Sequence, residues 1–357
     1  MTHGIVPPYL LVRISRLDDA KFAVAANAAR NALEHDKTMR SVRFNFSFDE
    51  NNTLVAEVVD APNRTVADAA TTESLPGAVV RREGDGPSGD PAADEAYEGL
   101  GATFALFSEV YGRNSIDAAG LPLDATVHYG KLYDNAFWNG ERMVFGDGDG
   151  EIFSRFTASL SVIGHELTHG ITQYSAGLVY RDQSGALNES VSDVFGALVE
   201  QYFLDQSVDE ATWLIGAGIF TTEVKGSALR SLKAPGTAYD DETLGKDPQP
   251  GHLDDYIDTD DDEGGVHLNS GIPNRAFYLV AEALGGNAWE HAGQIWYDTI
   301  TGPSLTARAD FSAFASATLE AASARYGATS AEVAAVREGW RGVGVATNTV
   351  KVGRDER

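Results

Sequence analysis

Two histidines four residues apart, in His165-Glu166-Leu167-Thr168-His169, constrain this chain more than any other feature. On a helix that spacing puts both imidazoles on one face about one turn apart, so a single metal ion can take both. Glu166, beside the first histidine, is placed to reach water at that metal. Leu160, Ile163, Leu167 and Ile171 form an apolar stripe, which predicts that the helix is buried. The chain of 357 residues contains no cysteine. Thiolate zinc sites, iron–sulfur clusters, disulfides and thiol nucleophiles are therefore excluded, and any metal falls to histidine and carboxylate.

A third ligand is available in Asn188-Glu189-Ser190-Val191-Ser192-Asp193, which opens a second helix-like run after Ser184-Gly185. Catalytic zinc takes three protein ligands and leaves one position open, and two histidines with Glu189 make one of the standard sets. Asp193, one helical turn beyond Glu189, can accept a hydrogen bond from a ligand imidazole and fix its tautomer. The plain alternative for this acid pair is a solvated helix face with Glu189 favoured by the helix dipole.

Periodicity divides the chain into a β-containing first part and an α-rich second part, joined near residues 170–180. A helix is predicted over Asp18–His35, strands over Ser41–Asp60, a loop over Arg82–Asp94, and a helix over Glu95–Tyr111. Short strands and tight turns fill Ala125–Gly150, and helices follow at about 155–174, 186–204, 270–284, 287–301, 310–326 and 329–342. The formal charge of −26 argues against a nucleic acid or an anionic membrane as partner, since both need basic patches. No run of about eighteen apolar residues occurs, so no transmembrane helix is expected. The first residues lack the pattern of a classical signal peptide, which predicts a protein cytoplasmic as synthesised, with any export by a non-classical route.

NAFWNG, MVFGDGDG, HELTHG, GALNESVSDVFG and GGVHLNSG, in this order and spacing from about Arg64 to Val345, resemble the thermolysin-like zinc metallopeptidases. The resemblance implies an α+β, two-lobed fold with a β-rich N-terminal lobe, an α-helical C-terminal lobe and the zinc helix between them. It implies a zinc endopeptidase in which His165, His169 and Glu189 hold one zinc ion, Glu166 is the general base and Asp193 orients the first ligand histidine. Tyr180 and His267 match the groups that stabilise the oxyanion, and Asp262 matches the partner of that histidine. Arg230 matches an arginine that binds the substrate carbonyl after the scissile bond. Asn135 and Ala136 match the edge segment that receives the peptide backbone. Phe153, Phe156, Val162 and Leu229 fall where the family builds its pocket for the next side chain, and their apolar character predicts cleavage before bulky hydrophobic residues.

The front of the chain, with Pro7-Pro8-Tyr9-Leu10-Leu11, resembles the short propeptide of the protealysin subgroup. The expected division is a propeptide at 1–50 that covers the cleft, a catalytic lobe at 51–177 that includes the zinc helix, and a helical lobe at 178–350. Expected partners are peptide or protein substrates, the chain's own propeptide and, as a further candidate, a protein inhibitor. Calcium is a doubtful second metal. Ser161, Leu214, Ala217 and Ser227 stand where acids are expected, leaving Glu200, and calcium needs about six to eight oxygen ligands. The acidic run Asp254–Glu263 starts like a calcium-binding loop but has its glycine at Gly264 and Asn269 at the closing position, so a solvated loop is the expectation. Two rival functions are a zinc aminopeptidase, for which no acidic anchor for the substrate amine stands out, and a catalytically silent binding protein. The second is disfavoured because Glu166, Tyr180 and His267 are all present.

Overall fold

The computed structural model describes residues 3–40 and 61–347. It opens with a two-residue strand, β1 (His3–Gly4), and a helix, α1 (Pro8–Ser15). The proline pair starts this helix: Pro8 stands in its first turn, where the missing N–H needs no partner and φ is already helical. Leu10, Leu11 and Ile14 form its buried face. Asp19 then accepts the N–H of Lys21 at 2.9 Å, and a 3₁₀ turn leads into α2 (Ala23–Arg40), five residues past the expected end. The strands expected over Ser41–Asp60 lie outside the described residues.

The first lobe is built on a six-stranded mixed sheet. After β2 (Arg64–Asp68), β3 (Ala78–Arg82) and α3 (Pro91–Ala105) come β4 (Leu123–Val127), β5 (Ala136–Trp138) and β6 (Met143–Phe145). The strand order is β1-β5-β6-β4-β2-β3. β4 lies parallel to both β2 and β6, and the other pairs are antiparallel. α3 begins four residues before the expected Glu95. The reason is local: the Asp90 carboxylate accepts the N–H groups of Ala92 and Ala93, at 2.8 and 3.1 Å, and Pro91 fills the first helical position.

Two long helices, α4 (Leu160–Gln173) and α5 (Asp182–Leu204), follow the sheet and pack along each other. Glycine permits the approach: a Cβ on Gly196 would stand 2.5 Å from the Ser161 carbonyl oxygen and 3.0 Å from the His165 nitrogen. The helical lobe begins with α5, and a short hairpin, β7 (Leu214–Ile215) with β8 (Arg230–Ser231), joins α5 to its other helices. Those are α6 (Asp262–Asn269), α7 (Gly271–Leu284), α8 (Ala292–Thr301), α9 (Phe311–Tyr326) and α10 (Ala331–Gly342). The architecture is the α+β arrangement expected, a mixed-sheet lobe and a helical lobe with α4 central. Among the described residues no helix is long and apolar enough to cross a membrane.

Candidate active site

Helix α4 presents His165, Glu166 and His169, and α5 presents Glu189 and Asp193; all five side chains are buried. The Nε2 atoms of the two histidines converge to 3.1 Å. The Glu189 carboxylate lies 3.6 Å from His165 Nε2 and 3.4 Å from His169 Nε2. Among the described residues this is the one group of three whose ligand atoms all lie within 4.8 Å of one another. The remaining ring nitrogens are held from behind. His165 Nδ1 meets Asp193 Oδ1 at 2.8 Å, and His169 Nδ1 meets Asn188 Oδ1 at 2.8 Å and Ser192 Oγ at 3.1 Å. Burial pushes both imidazoles down to about 4, so each is neutral near pH 7 and has a nitrogen lone pair to give. Two neutral imidazoles, a carboxylate and a polar rear support fit zinc.

Asp193 joins this cluster to Arg230. Its two oxygens receive Arg230 Nε at 2.9 Å and Nη2 at 2.8 Å, and Asn274 Nδ2 at 2.8 Å. Burial alone would raise the Asp193 carboxyl, but the Arg230 guanidinium and His165 outweigh it and hold the group well below the usual carboxylate range. Glu166 behaves oppositely: burial, reinforced by the charge of Glu189, pushes its carboxyl well up. One Glu166 oxygen accepts the backbone N–H of Trp138 at 3.0 Å, and the other is buried without a hydrogen-bond partner.

Tyr180 and His267 face the cluster from the helical lobe. The Tyr180 hydroxyl donates to Glu189 Oε1 and lies 3.3 Å from His267 Nε2. Asp262 takes His267 Nδ1 at 2.8 Å and the His267 backbone N–H at 2.9 Å. Burial disfavours a charged His267, but Asp262 and Glu189 reverse this and raise its pKa. The turn that makes the Asp262–His267 contact has positive φ at Asp262, Glu263, Gly264 and Gly265. Gly264 has φ 91°, a conformation in which other residues are strained, so glycine is favoured there. The acidic run is thus only partly a solvated loop: its end is a buried hydrogen-bonding partner.

Asn135 and Ala136 sit at the open end of β5 and are taken by the chain's own first residues. Ile5 N–H donates to the Ala136 carbonyl at 3.0 Å, Val6 N–H donates to Asn135 Oδ1 at 2.9 Å, and Arg230 donates to the Ile5 carbonyl at 3.0 Å. Asn135 Nδ2 is held in turn by Asp36 of α2 at 3.1 Å. Phe153, Phe156, Val162 and Leu229 are all buried, with the Phe153 and Phe156 rings 5.6 Å apart. At the expected calcium region, Ser161 is fully buried and accepts the Gly216 N–H at 3.1 Å, and burial raises the Glu200 carboxyl.

Sequence reasoning missed Asn188, Ser192, Asn274 and Asp36. The first two carried a usable signal: they stand one turn apart on α5, as Glu189 and Asp193 do. Asn274 and Asp36 come from distant segments and carried none.

Residues 27–173 match the thermolysin metallopeptidase catalytic domain, and residues 176–345 match the thermolysin metallopeptidase alpha-helical domain. An extracellular metalloprotease of Pectobacterium carotovorum subsp. carotovorum is 51% identical over 344 residues, covering 96% of each chain. An extracellular minor metalloprotease of Serratia marcescens is 42% identical over 287 residues, covering 80% of this chain and 78% of that one. The solved precursor of protealysin, a metalloproteinase from Serratia proteamaculans, superimposes with a TM-score of 0.86 at 49% identity, over 96% of this chain and all of that one. The names of the first two relatives overturn the expectation of a cytoplasmic protein, which rested on the missing signal-peptide pattern alone.

Proposed function

The chain belongs to the thermolysin metallopeptidase family, and from that premise we propose that Glu166 is its general base, Tyr180 and His267 its oxyanion donors, and His165, His169 and Glu189 its zinc ligands. It is a zinc-dependent neutral endopeptidase, made as a zymogen, that cuts preferentially before bulky apolar residues. The observation that carries the residue roles is the convergence of two neutral imidazoles and a carboxylate, with Glu166 on one side and the Tyr180–His267 pair on the other.

Zinc held by these side chains supplies Lewis acidity, which polarises a carbonyl and brings the acidity of water towards neutral pH. Glu166 takes a proton from the attacking water through its unpartnered oxygen and returns it to the departing amine. Tyr180 O–H and protonated His267 Nε2–H donate to the carbonyl oxygen as its negative charge grows, and Asp262 keeps His267 charged and oriented. Asn135, Ala136 and Arg230 hold the peptide backbone, and Phe153, Phe156, Val162 and Leu229 receive the side chain after the cut. Asp193 fixes His165.

The proposed division is a pro-segment at residues 1–50, a sheet-containing lobe at 51–177 and a helical lobe at 178–350. Secretion, as in the relatives named extracellular, is the proposed destination. A separate protein inhibitor would meet the same strand edge at Ala136–Trp138 that the first residues now cover.

Glu166→Gln, matured by an added protease, tests the assignment on an internally quenched peptide blocked at both ends. The variant is expected to retain one zinc per chain while kcat falls by about 10²–10⁴. Undiminished activity would remove Glu166 from the mechanism. Cleavage only of peptides with a free amino terminus would indicate an aminopeptidase.

A further inference from the structure

We propose that the Gly4–Ile5 peptide bond is a self-cleavage site, cut within the same molecule by the zinc-loaded centre; this rests on the peptidase reading above. The first residues do more than cover the cleft. His3 and Gly4 pair antiparallel with Trp138 and Phe137, and His267, Ala136, Arg230 and Asn135 each meet a specific atom of this segment. The Gly4 carbonyl oxygen lies 3.2 Å from His267 Nε2, the proposed oxyanion donor. Ile5, the next residue, gives its N–H to Ala136, receives Arg230 on its carbonyl and has no exposed surface. Val6 N–H then goes to Asn135 Oδ1. The carbonyl at the oxyanion donors and the apolar side chain that follows it belong to one peptide bond.

The register is fixed from both sides. Downstream, Leu10, Leu11 and Ile14 anchor α1 in the core, and the Leu10 N–H closes on the Pro7 carbonyl at 3.0 Å. Upstream, a Cβ on residue 4 would stand 2.3 Å from Asn135 Nδ2, so glycine lets the strand lie this close to β5. A one-residue slip would put Val6 or Gly4 in the apolar site and reverse which carbonyl meets His267.

In the reaction one water adds across the Gly4–Ile5 bond. Its oxygen bonds to the Gly4 carbonyl carbon, the C–N bond breaks, and Glu166 carries the proton to the Ile5 nitrogen. The products are a short peptide ending in the Gly4 carboxylate and a chain beginning at Ile5. This cut removes β1 and its pairing with β5, and it is distinct from removal of the whole pro-segment.

The test uses the full chain, prepared zinc-free with a chelator. In that state the Ile5 and Val6 amides are expected to exchange with solvent at least tenfold more slowly than in a free peptide of the same sequence. Zinc is then added, and intact mass with N-terminal sequencing is followed in time. The expected product begins Ile5-Val6-Pro7, with a first-order rate constant unchanged over a hundredfold dilution. Glu166→Gln is expected to keep its original N-terminus, and Ile5→Asp to slow this cut at least tenfold. Unprotected Ile5 and Val6 amides would overturn the register, and a rate that falls with dilution would overturn cleavage within one molecule. An intact Gly4–Ile5 bond in a sample that hydrolyses an added end-blocked peptide would overturn the proposal and leave the peptidase reading standing. Loss of both reactions, with activity on the end-blocked peptide restored by maturation with an added protease, would overturn the proposal alone; no activity even after maturation would overturn both.

Discussion

Replacing Asp193 with Asn should damage folding and metal binding by separable amounts. Asp193 and Arg230 are both completely buried, and the carboxylate takes two guanidinium nitrogens at 2.8 and 2.9 Å. Removing one member of a buried ion pair leaves the other charge without solvent or partner, which costs about 3–5 kcal/mol. For a chain of 357 residues, about 2 °C of Tm accompanies each kcal/mol, so the zinc-free variant should melt roughly 6–10 °C below the parent. The second effect is on His165, whose Nδ1 loses the oxygen that fixes its tautomer, and zinc affinity should fall by about 10–100-fold. Calorimetry of the zinc-free full chain and a zinc titration with a competing chelator measure the two terms. Arg230→Met alone leaves Asp193 with His165 and Asn274, and so costs less. In the double variant no unpaired charge remains, and much of the lost stability should return, as a coupling of at least about 2 kcal/mol. A shift below about 2 °C in Asp193→Asn, with unchanged zinc affinity, would refute the reasoning that this pair supports both the lobe and the metal ligand.

Two further predictions concern the loop Gly146–Gly150 in front of Phe153. His128 bridges Asp90 and Asp147 at 2.9 Å each; burial works against its charge, but the two carboxylates outweigh it and raise its pKa. A raised imidazole pKa contributes stability that is fully present below about pH 6.5 and is lost as pH rises through the folded value. His128→Gln should therefore flatten the decline of Tm across that window, and an unchanged profile would mean the bridge contributes nothing. Asp134 is buried beside Asp149, and burial, followed by the charge of Asp149, raises its pKa strongly. A raised carboxyl pKa destabilises the fold as pH climbs above the ordinary value of about 4. Asp134→Asn should raise Tm near pH 8 and change it little near pH 4; a lower Tm at both would show that the acid itself is needed there.

The zinc-binding helix and its neighbour were legible because their logic is local. His165 and His169, like Glu189 and Asp193, are four residues apart, and α-helix geometry alone puts each pair on one face. The two helices meet through Gly164 and Gly196, a requirement that no periodicity announces. Tyr180, His267 and Arg230 were found by resemblance, since each reaches the centre from a segment whose position depends on the whole topology. Asn274 bonds Asp193 across 81 residues of sequence, and nothing near either residue encodes that contact. Asp134 stands between Tyr133 and Asn135 and Asp149 between Gly148 and Gly150, with nothing local to mark them as partners, and only packing turns them into a buried, mutually repelling pair.

The N-terminal segment shows why the rest was hidden. Strand addition works through backbone N–H and C=O groups that every residue carries, so pairing of β1 with β5 leaves almost no mark on side-chain pattern. Sequence can register such a contact only where a side chain is constrained. Here that means Gly4, where Asn135 leaves no room for a Cβ, and Ile5, which must fill an apolar site. A Gly-Ile dipeptide two residues before a proline pair is too common to carry that information alone. The same indifference would let one edge receive both a foreign peptide and the chain's own first residues, and on the proposed reading the segment that covers the cleft lays its Gly4–Ile5 bond beside His267.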